Sequence, residues 1–367
     1  MAEAHVDLIV DPSAPDSEGK IESCGSAACH PNEVAATANS LHTNLWGEIA
    51  AIEARGGAGC TVLGTDLEDK FNAKCATCHT TCGQCHVSRP NSVGGGFPVI
   101  RGAYRSHLFG EPDMNEQCTA CHGSRIGVDY KGDLEGNTPD VHLTKGNSCK
   151  LCHTKDEIHG DGQRYNHRYE MALMPRCEDC HGDGMAQGWV NNTFHAEHVN
   201  GPEANLQCQV CHSQPYKNCT NCHNLVDDKV VEKYTLGEES VVQFKIAKNL
   251  FNQNRTEYDI VVVRHIPVDP GTYDDWGLSL TDYLDFPTWQ YASPHNVIKN
   301  APQTTALDYD PEVDDEVKTS CDTCHDTPET AEGFFLRLSD LEEGGSQLPD
   351  YNANTDIVLP TGSPSTW

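Results

Sequence analysis

The sequence predicts a mostly irregular chain of short α-helices wrapped around apolar bodies that side chains do not supply, with a small β module within residues 227–300. Three observations carry that expectation. The apolar fraction is 37%, below the about 45–50% usual for a globular domain, although the two scales count glycine differently. Cysteine and histidine each number 19 in 367 residues, while aromatics make up only 7% and Gly (31) and Pro (20) are abundant. Between 227 and 300 cysteine disappears and β-branched residues gather instead.

Nineteen cysteines admit disulfides, metal sites or haem attachment, and spacing decides among them. Eight copies of Cys-x-x-Cys-His occur: Cys75, Cys78 and His79; Cys82, Cys85 and His86; Cys118, Cys121 and His122; Cys149, Cys152 and His153; Cys177, Cys180 and His181; Cys208, Cys211 and His212; Cys219, Cys222 and His223; Cys321, Cys324 and His325. A ninth is stretched, with four residues between Cys24 and Cys29 before His30. Nine pairs use 18 cysteines and leave Cys60. In this motif two thiols form thioethers to the two vinyl groups of one haem, and the adjacent histidine becomes the proximal iron ligand. Zinc sites can use paired Cys-x-x-Cys, but zinc does not require histidine directly after every second cysteine. A disulfide across two residues would be strained. The expectation is nine covalent haems c. They also account for the low apolar content, because each is a large flat apolar body fixed to the chain.

Removing the nine motif histidines leaves His5, His42, His107, His142, His159, His167, His195, His198, His265 and His295. Nine of these, all but His5, are the candidate distal ligands, enough for every iron to be bis-histidine. Bis-histidine ligation fills both axial positions and favours electron transfer over catalysis. His195 and His198 lie three apart and would share a helix face, which suits two adjacent haems. His142 and His159 flank the Cys149 motif. His5 reads as a surface residue or as a ligand reaching into a neighbouring subunit. Met114, Met171, Met174 and Met185 are alternative ligands. Cys60 reads as a buried thiol or an intersubunit disulfide partner.

Four segments follow along the chain. Residues 1–60 hold the first motif and a helical stretch around His42, closed by the glycine-rich break at 56–59. Residues 61–226 hold seven motifs, with the Cys75/Cys82 and Cys208/Cys219 starts so close that their haems must nearly touch. In 227–300, Val242, Phe244 and Ile246 alternate with polar residues, and residues 258–263 are β-branched and apolar. These read as two strands joined by FNQNRTE. The module either presents His265 to a haem or is an insertion with no redox role. Residues 301–367 carry the last motif and a polar tail, expected to be loose unless a neighbouring subunit holds it.

The net charge of −30, from 25 Lys+Arg against 55 Asp+Glu, excludes phosphate-backbone binding and polybasic membrane contact and suits steering of a basic redox partner. No run of 18 apolar residues exists, so no membrane span is expected. Residues 1–10 are too short and acidic for a secretion signal. Ala2-Glu3-Ala4 resembles a cleavage site, so a leader is expected to have been removed.

CATCHTTCGQCH followed by SRPN, then CTACHGSR, DVH, CKLCH, IHGDG, CEDCH and CQVCH, resembles the multihaem cytochromes of anaerobic respiration in metal-reducing and related prokaryotes. The likeness covers about residues 70–225. It implies haems in a chain, short helices, a periplasmic, cell-surface or extracellular location, and redox proteins or extracellular acceptors as partners. Some such cytochromes polymerise into filaments. The function expected is electron conduction, by a soluble shuttle or by a filament subunit. The alternative is a multihaem reductase of the nitrite, hydroxylamine or tetrathionate type, which needs one open or lysine-ligated iron. No Cys-x-x-Cys-Lys occurs and histidine is in surplus, which argues against it. A purely structural role for the haems is a third class.

Overall fold

The computed structural model describes residues 30–74, 82–87, 110–182, 193–199, 204–218, 225–226, 229–230, 241–250, 258–268, 270–306, 308, 310, 312–313, 318–325 and 333–361. Cys24 and Cys29, the motifs of His79 and His223, and His5 and His107 lie outside the described residues. The architecture is mostly irregular, with helices of one to three turns and small antiparallel sheets. The longest described helix, Trp46–Gly56, has 11 residues. Helices this short are marginal alone and hold only through what they pack on.

The chain divides into two compact units that cut across the four segments. Met1–Ala51, Glu68–Ser124 and Asn147–Pro175 form the first; Ile52–Leu67, Arg125–Gly146 and Arg176–Trp367 form the second.

In the first unit the helix Pro31–Thr37 starts with proline, where a missing N–H costs nothing. The helix Lys155–His159 is capped by the Thr154 hydroxyl, which accepts the Glu157 N–H at 3.3 Å. It stops at Gly160 with φ +83°, where a Cβ would also crowd Ser40 at 3.1 Å. That close approach to the Ser40 turn favours glycine twice over. Trp46 Nε1 donates to Asn166 Oδ1 at 2.7 Å, and Arg164 lies over the Trp46 ring. Buried apolar side chains described here are few: Val34, Ile49, Phe71, Tyr169 and Met171.

The second unit has a side-chain core. Its three-stranded antiparallel sheet runs Ile246–Lys248, Ile260–His265, Trp289–Tyr291, with Ile246 opposite Val262 and His265 opposite Trp289. The central strand is buried on both faces, so it reads as a continuous apolar run. Val210, Tyr216, Phe244, Ile246, Val262, Ala292, Phe335 and Leu359 pack together around it.

The two expected strands therefore exist, with two differences. Strict alternation fails: Phe244 and Ile246 are buried, Val242 is exposed, and Lys245 is buried as well. Lys245 is accommodated because Nζ meets both Asp340 oxygens at 2.8 and 2.9 Å and the Phe335 carbonyl at 3.3 Å. Val242–Gln243 pairs with Tyr216–Lys217 rather than extending the main sheet.

The expected loose tail is corrected for residues 333–361. Phe335, Leu336, Leu341, Ile357 and Leu359 are all buried. The segment bonds to the sheet through Leu336 N–H to the Ile246 carbonyl at 2.8 Å and Lys248 N–H to the Ile357 carbonyl at 2.9 Å. Its own chain holds it.

Asp350 anchors this packing. Its Oδ2 is 3.0 Å from His265 Nε2 and also accepts the Thr288 hydroxyl. Asp350→Ala would leave a buried imidazole without its carboxylate. The expected cost is about 3–5 kcal/mol, measured as a shift in urea unfolding followed by far-ultraviolet circular dichroism. A loss below about 1 kcal/mol would mean the pair does not secure the segment.

Candidate functional site

Each described Cys-x-x-Cys-His motif closes a single helical turn. The N–H of His153 reaches the Cys149 carbonyl at 2.9 Å, His181 reaches Cys177 at 2.8 Å, and His325 reaches Cys321 at 3.0 Å. Cys82–His86 and Cys208–His212 are helices of five residues, and Cys118 leads directly into the helix Thr119–His122. Positions i, i+3 and i+4 of a helix share one face. Both thiols and the imidazole therefore leave on the same side, which is the arrangement that attachment and ligation of one haem require.

Five motif histidines face a second histidine from elsewhere in the chain. Ring centres are 6.1 Å apart for His122 and His42, 6.0 Å for His86 and His159, and 6.1 Å for His181 and His142. They are 6.2 Å apart for His212 and His195, and 6.0 Å for His325 and His198. A metal–imidazole bond is about 2.0–2.1 Å and the ring nitrogen lies about 1.1 Å from the ring centre, so one metal held in line between two imidazoles separates their centres by about 6.3 Å. All five separations sit within a few tenths of that value. The first two pairs belong to the first unit and the other three to the second. His195 and His198, three apart on the helix Thr193–His198, serve two different motifs.

The rings are also held on their outer edge. A ligating histidine usually donates its other N–H to a carboxylate or carbonyl, which fixes the tautomer. His86 Nδ1 bonds the Gly110 carbonyl at 2.9 Å, His198 Nδ1 that of Ala204 at 3.2 Å, and His212 Nδ1 those of Ile298 and Lys299 at 3.1 and 3.2 Å. His142 Nδ1 bonds Asp140 Oδ1 at 2.9 Å, and His153 Nδ1 bonds Glu157 Oε2 at 3.0 Å. In every case the contact is made by Nδ1 rather than Nε2.

Electrostatics follow these contacts. The Asp140 hydrogen bond raises the His142 pKa. Burial works to lower that of His153, but the hydrogen bond and the negative charge of Glu157, with a further contribution from Cys118, together outweigh it and the net shift is upward. Burial lowers His159 and His212, the latter against the pull of its two carbonyl partners, which favours the neutral imidazole that a metal needs. Burial pushes the Cys211 thiol up to about 12 and the Cys324 thiol up to about 11.

Thiols of neighbouring motifs lie close together. In the second unit the Cys177 and Cys208 sulfurs are within 4.8 Å of each other, and in the first Cys118 and Cys149 are near enough to shift each other's pKa. Cys211 lies close enough to Cys321 and Cys324 to feel their charge. In the second unit the motifs of His181, His212 and His325 therefore follow one another in series.

Tetrahedral zinc needs four donors together. Among the described residues the one group of three close donors is Cys177, Glu178 and Cys208. The donor set instead fits haem c, with two thiols and an imidazole on one face and a second imidazole opposite.

Three distal candidates lie elsewhere. His167 is exposed and stacks on Tyr169 at 4.9 Å. His265 is buried, stacked on Trp289 at 4.8 Å, with Nε2 committed to Asp350. Of the two readings the sequence leaves open for the β module, presentation of His265 to a haem or an insertion with no redox role, the structure shows the His265 Nε2 held by a buried carboxylate. His295 is half-buried beside Asn296, whose amide is bonded to the Gln214 and Pro215 carbonyls. His30 is exposed at the start of Pro31–Thr37. Cys60 is half-buried, and burial raises its thiol pKa.

Sequence reasoning missed Asp140 and Glu157. Each has a local signal: Asp140 is two residues before a candidate ligand, and Glu157 follows a motif histidine at i+4. No family model, characterised protein or solved structure matches the chain. Among the described residues no helix is long and apolar enough to cross a membrane.

Proposed function

We propose that the chain is a multihaem c-type cytochrome that carries nine covalent haems and conducts electrons in the periplasm, at the cell surface or beyond it. The observation that carries this reading is the set of five motif histidines facing a second histidine at 6.0–6.2 Å. Bound haem would supply one-electron transfer at iron. The residues contribute attachment, orientation and exclusion. The cysteines would fix each haem covalently, the paired imidazoles would ligate the iron at the five described pairs, and the Nδ1 anchors hold the rings. Irons so ligated would leave no place for a substrate at those five sites, which supports a carrier over a reductase. Close thiols on neighbouring motifs support short distances between sites. The acidic surface supports a basic or cationic redox partner.

Low-temperature electron paramagnetic resonance of the oxidised native protein tests the reading. Low-spin bis-histidine signals from all irons are expected. A stoichiometric high-spin signal that shifts on adding nitrite or hydroxylamine would favour the reductase. Electron microscopy of the same sample separates a shuttle, seen as discrete particles, from a filament subunit.

A further inference from the structure

The described haem sites divide by what holds the outer nitrogen of the ligand. At His86, His198 and His212 it is a neutral backbone carbonyl. At His153 it is the carboxylate of Glu157, which is 8% exposed. Glu157 is held in turn: its N–H is tied to the Thr154 hydroxyl, and it sits on the helix Lys155–His159 whose last residue faces His86. One five-residue helix thus supplies a carboxylate to one haem site and a distal imidazole to another.

We propose that Glu157 is a potential-setting residue, lowering the reduction potential of the iron that His153 would ligate. This rests on the haem reading above. A charged carboxylate makes a stronger hydrogen bond to N–H than a neutral carbonyl does. It draws the Nδ1 proton and makes the imidazole a stronger donor. Its negative charge, poorly screened where it is buried, also favours the ferric over the ferrous state. Both effects act in the same direction. Asp140, 2% exposed and bonded to His142, repeats the device in the second unit. The sites therefore do not share one potential.

The test is Glu157→Gln in the full haem-loaded chain, read by spectroelectrochemical titration. The amide keeps the shape and the acceptor oxygen but removes the charge. One component of the titration is expected to move up by about tenfold in its reduction equilibrium, about 59 mV for one electron, with haem content and low-spin signals unchanged. Glu157→Asp, which keeps the charge and withdraws it by one methylene, should give a smaller shift in the same direction. It replaces the glutamine variant if that chain does not mature. A full haem complement with titrations superimposable on the parent overturns the proposal alone. A parent chain isolated without covalent haem overturns the haem reading, and this proposal with it.

Discussion

If the proposed haems are bound, replacing His198 by alanine is expected to convert one iron per chain from low spin to high spin, the one that His325 would ligate. His198 faces His325 at 6.0 Å, with its own Nδ1 tied to the Ala204 carbonyl. Removing the side chain would leave His325, Cys321 and Cys324 in place to hold the haem and would remove only the second imidazole. His195→Ala should do the same at His212, because the two residues serve different motifs. The double variant should show two high-spin irons. The measurement is electron paramagnetic resonance with integration of the high-spin signal. Added imidazole should restore the low-spin form by refilling the position. A fully low-spin His198→Ala protein, without added ligand, would mean that the pair is not the ligand set.

The second large effect concerns the chain made without haem. The first unit is expected to lose its fold and the sheet of the second to keep it. The five buried apolar side chains described in the first unit contribute about 1.5–3 kcal/mol each. Ordering backbone costs about 1–2 kcal/mol per residue, over far more residues than those five can offset. The second unit has the core around Tyr216, Phe244, Val262 and Phe335, and a central strand whose Val261, Val262 and Val263 are fully buried. Hydrogen exchange on the chain expressed without haem-attachment machinery separates the two. Protection should persist in Ile260–His265 and vanish in Lys155–His159. Equal protection in both would show that haem is not the core of the first unit.

The candidate attachment motifs are legible in the sequence because they are local. Cys-x-x-Cys-His is one helical turn, and a period written within five residues needs no tertiary information. The inventory of candidate distal histidines is legible too, but not which motif histidine each one faces. The partners His42 and His122, or His198 and His325, are far apart in the chain, and only folding brings them together. The pairing of His195 and His198 with separate motifs is the exception, because their spacing of three is itself helical. The strands at 246–248 and 260–265 are legible from their β-branched residues. The strand Trp289–Tyr291 is not, being three residues long among turns. The buried tail is hidden for a similar reason: Phe334, Phe335 and Leu336, and Ile357 and Leu359, are short apolar runs inside a stretch dominated by Asp, Glu, Gly and Pro. The surroundings of His265 are not legible, because a histidine ending an apolar strand looks the same whatever it meets, and its partner Asp350 lies 85 residues away.

The central claim is covalent haem at every cysteine pair, and intact mass spectrometry of the denatured native protein tests it most directly. Denaturation strips metals and non-covalent cofactors and leaves thioethers. The expected mass equals the polypeptide plus nine haems, with Cys60 as the one cysteine that still reacts with a thiol reagent. A polypeptide carrying no haem increment, with its cysteines reactive or paired in disulfides, would contradict it.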